Sequence, residues 1–267
     1  MATRLYIEEA ELDGVLHFLD KPDTYIERVL CFPRENCSEL EERLELLKLD
    51  GFTYLLETGG KFLDLRILGK GYSAIVVVAY NKFNGIGSLK IKRLDSRRES
   101  FTREALLMSE AYPSSLPPKL LAYRDFYVFY ELLPPGKCRD YTIVLEEYLN
   151  SNRLNELKTL LLNTMIKLRK LDLLGIDHTE INRPSGHVFV CREQDVKILD
   201  WESARKTRRP VNTTSFTSFL LYRYRNSSKL IETLGIDRNR VLDALRKYKE
   251  SYLDEDFEKL LEAMQLK

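Results

Sequence analysis

The dominant hydrophobic period changes near residue 136, and that change limits the folds open to the chain. From Lys61 to Leu132 apolar residues recur mostly at strand spacing, and from Thr142 onward mostly at helical spacing. Between the two runs lies Glu131-Leu132-Leu133-Pro134-Pro135-Gly136, a strand end followed by a stiff connection that continues neither period. Strands and helices gathered in separate halves point to an α+β molecule. The expected organisation is a small N-terminal extension over 1–60, a strand-rich lobe with one helix over 61–135 and a mainly helical lobe over 136–267. No internal repeat interrupts this order, and 267 residues supply enough chain for two cores.

Composition excludes more than it assigns. Lysine and arginine total 42 against 41 aspartate and glutamate, so no global field favours nucleic acid or a membrane surface. A charged fraction of 31% with very little glutamine hints at heat adaptation. Cys31, Cys37, Cys138 and Cys191 form no CxxC pair, which argues against a disulfide framework or a zinc site. Met1 to Gly14 alternates charged and apolar residues without a signal-peptide core, and no apolar run approaches a membrane span. A soluble, cytoplasmic protein with no membrane partner is expected.

Within 1–60, Ser38-x-x-Glu41 reads as a capping box for a helix carrying Leu40, Leu44, Leu47 and Leu49, with Gly51 as its stop. That helix either packs on the following sheet or belongs to a small winged-helix module; the acidic run Glu39 to Glu45 argues against the second. Strands are expected at Phe62 to Leu68, Ala74 to Tyr80 and Ser88 to Leu94, the last two joined by a turn at Asn81 to Gly85. A helix at Phe101 to Tyr112 should turn Ala105, Leu106 and Met108 inward. Strands at Leu120 to Tyr123 and Tyr127 to Leu132 follow. Beyond the connection, helices are expected at Thr142 to Leu149, from Leu154 through Leu171 to a stop at Gly175, at Ser228 to Ser251 and at Asp254 to Leu266.

Three segments carry candidate chemistry. Gly69-Lys70-Gly71 sits in a tight strand–turn–strand, where bare backbone can approach a triphosphate and offer N–H groups to its oxygens. Taken alone it reads rather as an ordinary hairpin turn. No helix follows it, so neither the dinucleotide fingerprint nor the Walker loop fits. In Ser88-Leu89-Lys90-Ile91-Lys92, alternation puts Ser88, Lys90 and Lys92 on one face. A small residue two before Lys90 leaves room for a base, and Glu104 on the next helix could hold the ammonium, with Glu99 as its competitor. The bland alternative is an edge strand protected by lysines. The third segment, Asp177 to Glu202, holds two short apolar runs, Val188 to Val190 and Val196 to Leu199, that read as a hairpin. It gathers Glu180, His187 and Asp200 at one end, a layout suited to phosphoryl transfer.

Taken in order, these segments resemble a eukaryotic-like protein kinase core. The sequence is most similar to a group of predicted archaeal serine/threonine kinases related to the RIO-type atypical kinases. Their L-K-I-R-R, D-H-x-E-L and D-F-E-S-A segments correspond to L-K-I-K-R, D-H-T-E-I and D-W-E-S-A here. The resemblance covers about residues 60–215. It implies a bilobal protein-kinase-like fold with an antiparallel-sheet N-lobe and a helical C-lobe, binding ATP and Mg²⁺ and phosphorylating a protein partner. It implies nucleotide contacts from Gly69, Lys70, Gly71, Val76, Ser88, Lys90 and Glu131. Glu180 takes the position of the catalytic carboxylate with Lys90 and Glu104 in support, and Asp200 and His187 take the metal positions. The departures matter. The catalytic position holds glutamate, and the second metal position holds an imidazole, which is either a better ligand for Mn²⁺ than for Mg²⁺ or a group that merely hydrogen-bonds the loop. His178 reads as a packed loop histidine. No D-F-G glycine, A-P-E segment or long activation loop follows Asp200. The basic run Arg205 to Arg209 reads either as a solvated turn or as a recognition site for a phosphate or acidic substrate. Asp-Trp-Glu also occurs in small-molecule kinases of the aminoglycoside and choline type, which is the alternative reading, with an idle nucleotide-binding scaffold as a third.

Overall fold

A computed structural model of the chain describes residues 2–7 and 10–267, with side chains from Leu12 onward. The reading of Met1 to Gly14 as lacking a leader therefore touches Met1, Glu8 and Glu9, which lie outside the described residues. In chain order the first elements are β1 (Ala2–Ile7), β2 (Ala10–Phe18), α1 (Thr24–Leu30), α2 (Leu40–Leu49) and β3 (Phe52–Glu57). They continue with β4 (Gly60–Phe62), β5 (Leu65–Ile67), β6 (Gly69–Lys70), β7 (Ala74–Asn81), β8 (Gly85–Lys92), α3 (Thr102–Ala111), β9 (Leu120–Arg124) and β10 (Tyr127–Glu131). The remainder comprises β11 (Arg139–Asp140), α4 (Tyr141–Asn150), α5 (Leu154–Leu173), β12 (Ile176–Asp177), β13 (Val188–Val190), β14 (Val196–Ile198), β15 (Arg205–Lys206) and α6 (Asn212–Ser218). A π-helical turn (Phe219–Arg223) leads to α7 (Ser227–Leu234), α8 (Arg238–Ser251) and α9 (Asp254–Ala263). The described residues thus form an α+β fold with one large antiparallel sheet and nine α-helices.

The chain divides into two units: Met1–Leu106 with Pro118–Lys137, and Leu107–Pro117 with Cys138–Lys267. In the first, the large sheet has eight strands in the order β1-β2-β3-β7-β8-β10-β9, with β6 also paired to β7. The extension expected over 1–60 is not a separate piece, because β2 pairs with β3 and β3 pairs with β7. Phe-Thr-Tyr-Leu-Leu in β3 has the aromatic and β-branched character of a strand, and its pairing partner lies beyond reach of local pattern. One sheet face buries Leu55, Ile75, Val77, Leu89, Ile91 and Phe129 against Ile26, Val29 and Leu30 of α1 and Leu47 of α2. The helix ending at Leu49 therefore packs on the sheet. Asp23 caps α1, accepting from the Tyr25 and Ile26 amides. Gly51 follows α2 at φ +90°, as a stop requires.

Several local expectations are corrected. The capping box does not form: the N-cap of α2 is Glu39, without a side-chain cap, and Ser38 Oγ instead donates to Glu39 Oε2 at 3.0 Å. Phe62 to Leu68 is not one strand but the hairpin β4–β5, turned at Leu63 with φ +53°. Leu106 is 47% exposed, while Leu107 takes the buried position. The helix expected over Ser228 to Ser251 is broken at Gly235 (φ +70°), after which Asp237 caps α8 through the Asn239 and Arg240 amides.

The second unit is built on α5, which buries Leu157, Leu160, Leu161, Met165, Leu168 and Leu171 along one face. It is not purely helical, since β11, β13 and β14 form a three-stranded sheet and β12 pairs with β15. The reading of the cysteines is also overturned: Cys31 bonds to Cys37, Cys138 bonds to Cys191, and no cysteine is free among the described residues. Disulfide pairing depends on Cα proximity in the fold, and the second bridge joins residues 53 apart, across the β11–β13 pairing, where CxxC spacing is silent. No helix among the described residues is long and apolar enough to cross a membrane.

Candidate functional site

Lys90 occupies the centre of β8, with Leu89 and Ile91 in the core on one face and Lys90 on the other. Gly69 of β6 opposes Val76 of β7, Val76 opposes Lys90, and Lys90 opposes Val128 of β10. Glycine and lysine therefore stand in one cross-strand row, two strand spacings or about 10 Å apart. Ser88 lies in the next row, opposite Val78 and Tyr130. Lys90 Nζ lies 2.7 Å from Glu104 Oε1 on α3, and both residues are buried. The competitor Glu99 is exposed and engages a different lysine, its carbonyl accepting from Lys92 Nζ at 2.6 Å.

The glycine segment closes when the Gly71 amide donates to Ala74 O at 2.8 Å. A Cβ at Gly69 would meet nothing, and one at Gly71 only Ala74 O at 3.8 Å; neither residue has positive φ. The hairpin itself does not need glycine there, and what the two glycines leave is uncovered backbone. Lys70 holds its ammonium 4.4 Å from the centroid of the Phe62 ring. Glu131 ends β10, and its carboxylate accepts the Lys119 amide at 3.0 Å, so its side chain is used in holding β9 beside β10.

In the second unit β13 and β14 form the expected hairpin, Val188 opposite Ile198. Asp200 follows, exposed, at φ 60° and ψ 67°. A non-glycine residue in the left-handed region is a strained element that surrounding contacts must hold. Trp201 supplies one such contact: its fully buried indole donates to Ile198 O at 2.8 Å. His178 Nε2 lies 3.2 Å from Leu199 O, and a carbonyl only accepts, so the proton sits on Nε2. That ring is buried and edge-on to Trp201 at 4.9 Å, in keeping with a packing role. His187 Nε2 donates in the same way to Glu180 O at 3.1 Å, leaving the lone pair on Nδ1. The Leu199 amide donates to His187 O at 2.8 Å. These bonds bring Glu180, His187 and Asp200 to one end of the hairpin. The Glu180 side chain is half-buried and has no hydrogen-bond or ion-pair partner among the described residues. Among those residues no group of three or more His, Cys, Asp or Glu gathers as a metal cage. Asp200 and His187 are the two groups here that could offer ligands to a cation, whose remaining shell would then be phosphate oxygen and water.

Sequence reasoning missed the residues that hold this loop in place. Asp172, buried near the end of α5, accepts from the Asn212 amide and side chain (2.9 and 2.8 Å), the Thr213 amide (3.2 Å) and Tyr248 Oη (3.0 Å). Asn212 in turn donates to Ile176 O at 2.7 Å and accepts the His178 amide at 2.9 Å. Burial pushes the Asp172 carboxyl above its ordinary value, and the bonds from Thr213, Asn212 and Tyr248 offset this only in part. No local pattern links residues 172, 178, 212 and 248. Asp140 did carry a local signal, an Asp just ahead of the helical run expected from Thr142. It caps α4 through the Thr142 amide at 2.8 Å and accepts the Gly186 amide at 2.7 Å, fixing the far side of the same loop. Burial raises its pKa, but the bonds from Thr142 and Gly186 outweigh that and leave it below 3.8.

In the basic run, Arg205 pairs with buried Asp177 at 3.6 Å and Lys206 with Glu110 at 2.6 Å, while Arg208 and Arg209 are exposed. Compared with protein-family models and with curated proteins, the sequence matches none.

Proposed function

We propose that this chain is an ATP-dependent phosphotransferase, an atypical serine/threonine protein kinase with a bilobal protein-kinase-like fold. The observation that carries the reading is the buried Lys90–Glu104 pair. A buried ion pair is seldom a net gain in stability over apolar residues of the same volume, so its presence in a sheet face calls for a use. A lysine held by a helix-borne glutamate, in one strand row with a glycine hairpin, is the arrangement with which kinases orient phosphates. The strained Asp200, the unpartnered Glu180 carboxylate and the lone pair of His187 Nδ1 supply a second set of groups suited to the same reaction.

In this reading the backbone of Gly69, Lys70 and Gly71 donates to phosphate oxygens, Val76 and Ser88 line the base site, and Glu131 ends the strand that leads out of it. Lys90, oriented by Glu104, holds the phosphates. Glu180 aligns the acceptor hydroxyl and takes its proton. Asp200 and His187 would hold Mg²⁺ or Mn²⁺, which when bound neutralises charge on the transferred group. A second reading, a small-molecule kinase, is favoured by one feature. After Asp200 the chain makes a single 3₁₀ turn (Trp201–Ser203) and the β15 pairing with β12 before α6, leaving no extended segment on which to seat a peptide.

The test is incubation with γ-labelled ATP, alone and with cell proteins or metabolites, followed by mass spectrometry. Label on protein hydroxyls is the expected result, and label on a metabolite selects the second reading. No transfer to any acceptor, with no nucleotide-dependent rise in melting temperature, overturns both.

A further inference from the structure

The loop that carries Glu180 continues into a feature the phosphotransfer roles leave unused. Asn182, Arg183 and Ser185 line one cavity of about 400 Å³ with Thr142 from the first turn of α4 and Phe219 and Arg223 from the π-helical turn. Arg183 and Arg223 are both exposed, and neither has an ion-pair partner among the described residues. Their neighbour Arg225, by contrast, is held by Glu146 at 2.8 Å. The nearby carboxylate of Asp140 is engaged by the Thr142 amide and hydroxyl and by the Gly186 amide, at 2.8, 2.5 and 2.7 Å. Phe219 is buried and gives the cavity an apolar wall. The wall is also irregular in a telling way: the Tyr224 amide donates to Phe219 O at 2.8 Å, closing a wide turn of the type that recurs at functional sites.

The position of the cavity is set by the backbone. The Arg183 amide donates to Glu180 O at 2.9 Å, so the two residues are the ends of one tight turn. Their Cα atoms are then within about 7 Å, the span of roughly two residues of extended chain. Two free guanidinium groups beside an apolar wall bind carboxylate or phosphate, through paired N–H donors where geometry allows.

We infer that this cavity binds an anionic group on the acceptor, a carboxylate or phosphate about two residues from the hydroxyl served by Glu180, and so selects acidic protein acceptors. The inference rests on the phosphotransfer reading for the identity of the acceptor, but the binding site can be tested without turnover. Three serine peptides differing only at the second residue from the serine (glutamate, phosphoserine or lysine) would be compared as acceptors and, by calorimetry, as ligands. The expected result is a preference of about tenfold or more in kcat/KM for either acidic peptide over the lysine peptide, carried mainly by KM. Arg223→Glu should invert that ratio, and Arg223→Lys should keep part of it. The glutamate and phosphoserine arms separate the two sources of negative charge. Equal use of all three peptides, or an unchanged ratio in Arg223→Glu, overturns the inference while leaving the phosphotransferase intact. If no peptide is labelled, tighter binding of the acidic peptides that is lost in Arg183→Gln/Arg223→Ala sustains the site, and indifferent binding removes it.

Discussion

The Lys90–Glu104 pair poses a problem that can be solved with two substitutions. Lys90→Met leaves Glu104 buried without its 2.7 Å partner and should destabilise the protein by about 3–5 kcal/mol. Adding Glu104→Leu removes the stranded charge and should restore much of that loss, while phosphotransfer stays abolished in both. Urea unfolding and label transfer on the two variants separate a structural from a functional role; a double variant as active as wild type would show the pair to be structural only. Glu180 is the opposite case, because its half-buried side chain holds nothing among the described residues. Glu180→Ala should leave the urea midpoint nearly unchanged and lower turnover by about 10²–10⁴. A loss below about tenfold would move the proton-accepting role elsewhere. His187 has its tautomer fixed by Glu180 O, the kind of outer bond that orients a metal-ligating imidazole. Activity with Mn²⁺ is therefore expected to equal or exceed that with Mg²⁺, and His187→Asn should shift the preference toward Mg²⁺. A metal titration with Mg²⁺ as the only activator would rule this out.

At the scale of elements, the loop from Asp177 to His187 is held from both ends by buried acceptors, and Asp172 gives this a pH signature. Its folded pKa lies above the unfolded value of 3.8, so between those two values the folded state binds the extra proton. Stability from this group is then greatest at low pH and declines as pH rises from about 4 through the folded pKa. Asp172→Asn abolishes that slope. The difference in unfolding free energy between wild type and variant should fall with rising pH across that window, and a constant difference would contradict the argument. What the sequence made legible follows the same division between near and far. β7, β8, β10 and α5 were readable because their periods are long and clean, and the pairing of Lys90 with Glu104 because a single helix follows the lysine strand. The β4–β5 hairpin was hidden by a leucine at positive φ, where glycine or asparagine is the usual signal. β3 was hidden because its partner β7 is joined to it only through the fold, and the Asp172–Asn212–His178 chain for the same reason. The Lys90–Glu104 pair could be read from its local pattern; the groups that hold the Asp177–His187 loop could not.

For the molecule as a whole, the two disulfides distribute stability unevenly. Cys31–Cys37 closes a loop of sequence separation 6 within the first unit, and Cys138–Cys191 one of 53 within the second. Loop closure restricts the unfolded chain more as the loop lengthens, which corresponds to about 2 kcal/mol for the short loop and about 4 kcal/mol for the long one. The long bridge also sits beside the pairing of β11 with β13, and β11 leads directly into Asp140, whose carboxylate holds the Gly186 amide next to His187. Removing it should thus cost stability and loosen the loop that ends at His187. Cys138→Ser/Cys191→Ser is expected to lower the urea midpoint more than Cys31→Ser/Cys37→Ser. In hydrogen exchange it should lose protection first in Arg139–Asp140 and Val188–Val190, while Gly85–Lys92 keeps its own. If the short-bridge variant proves the less stable, or if protection at β8 falls together with that at β13, loop length does not govern the contribution of these bridges and local packing around Cys31 must dominate instead.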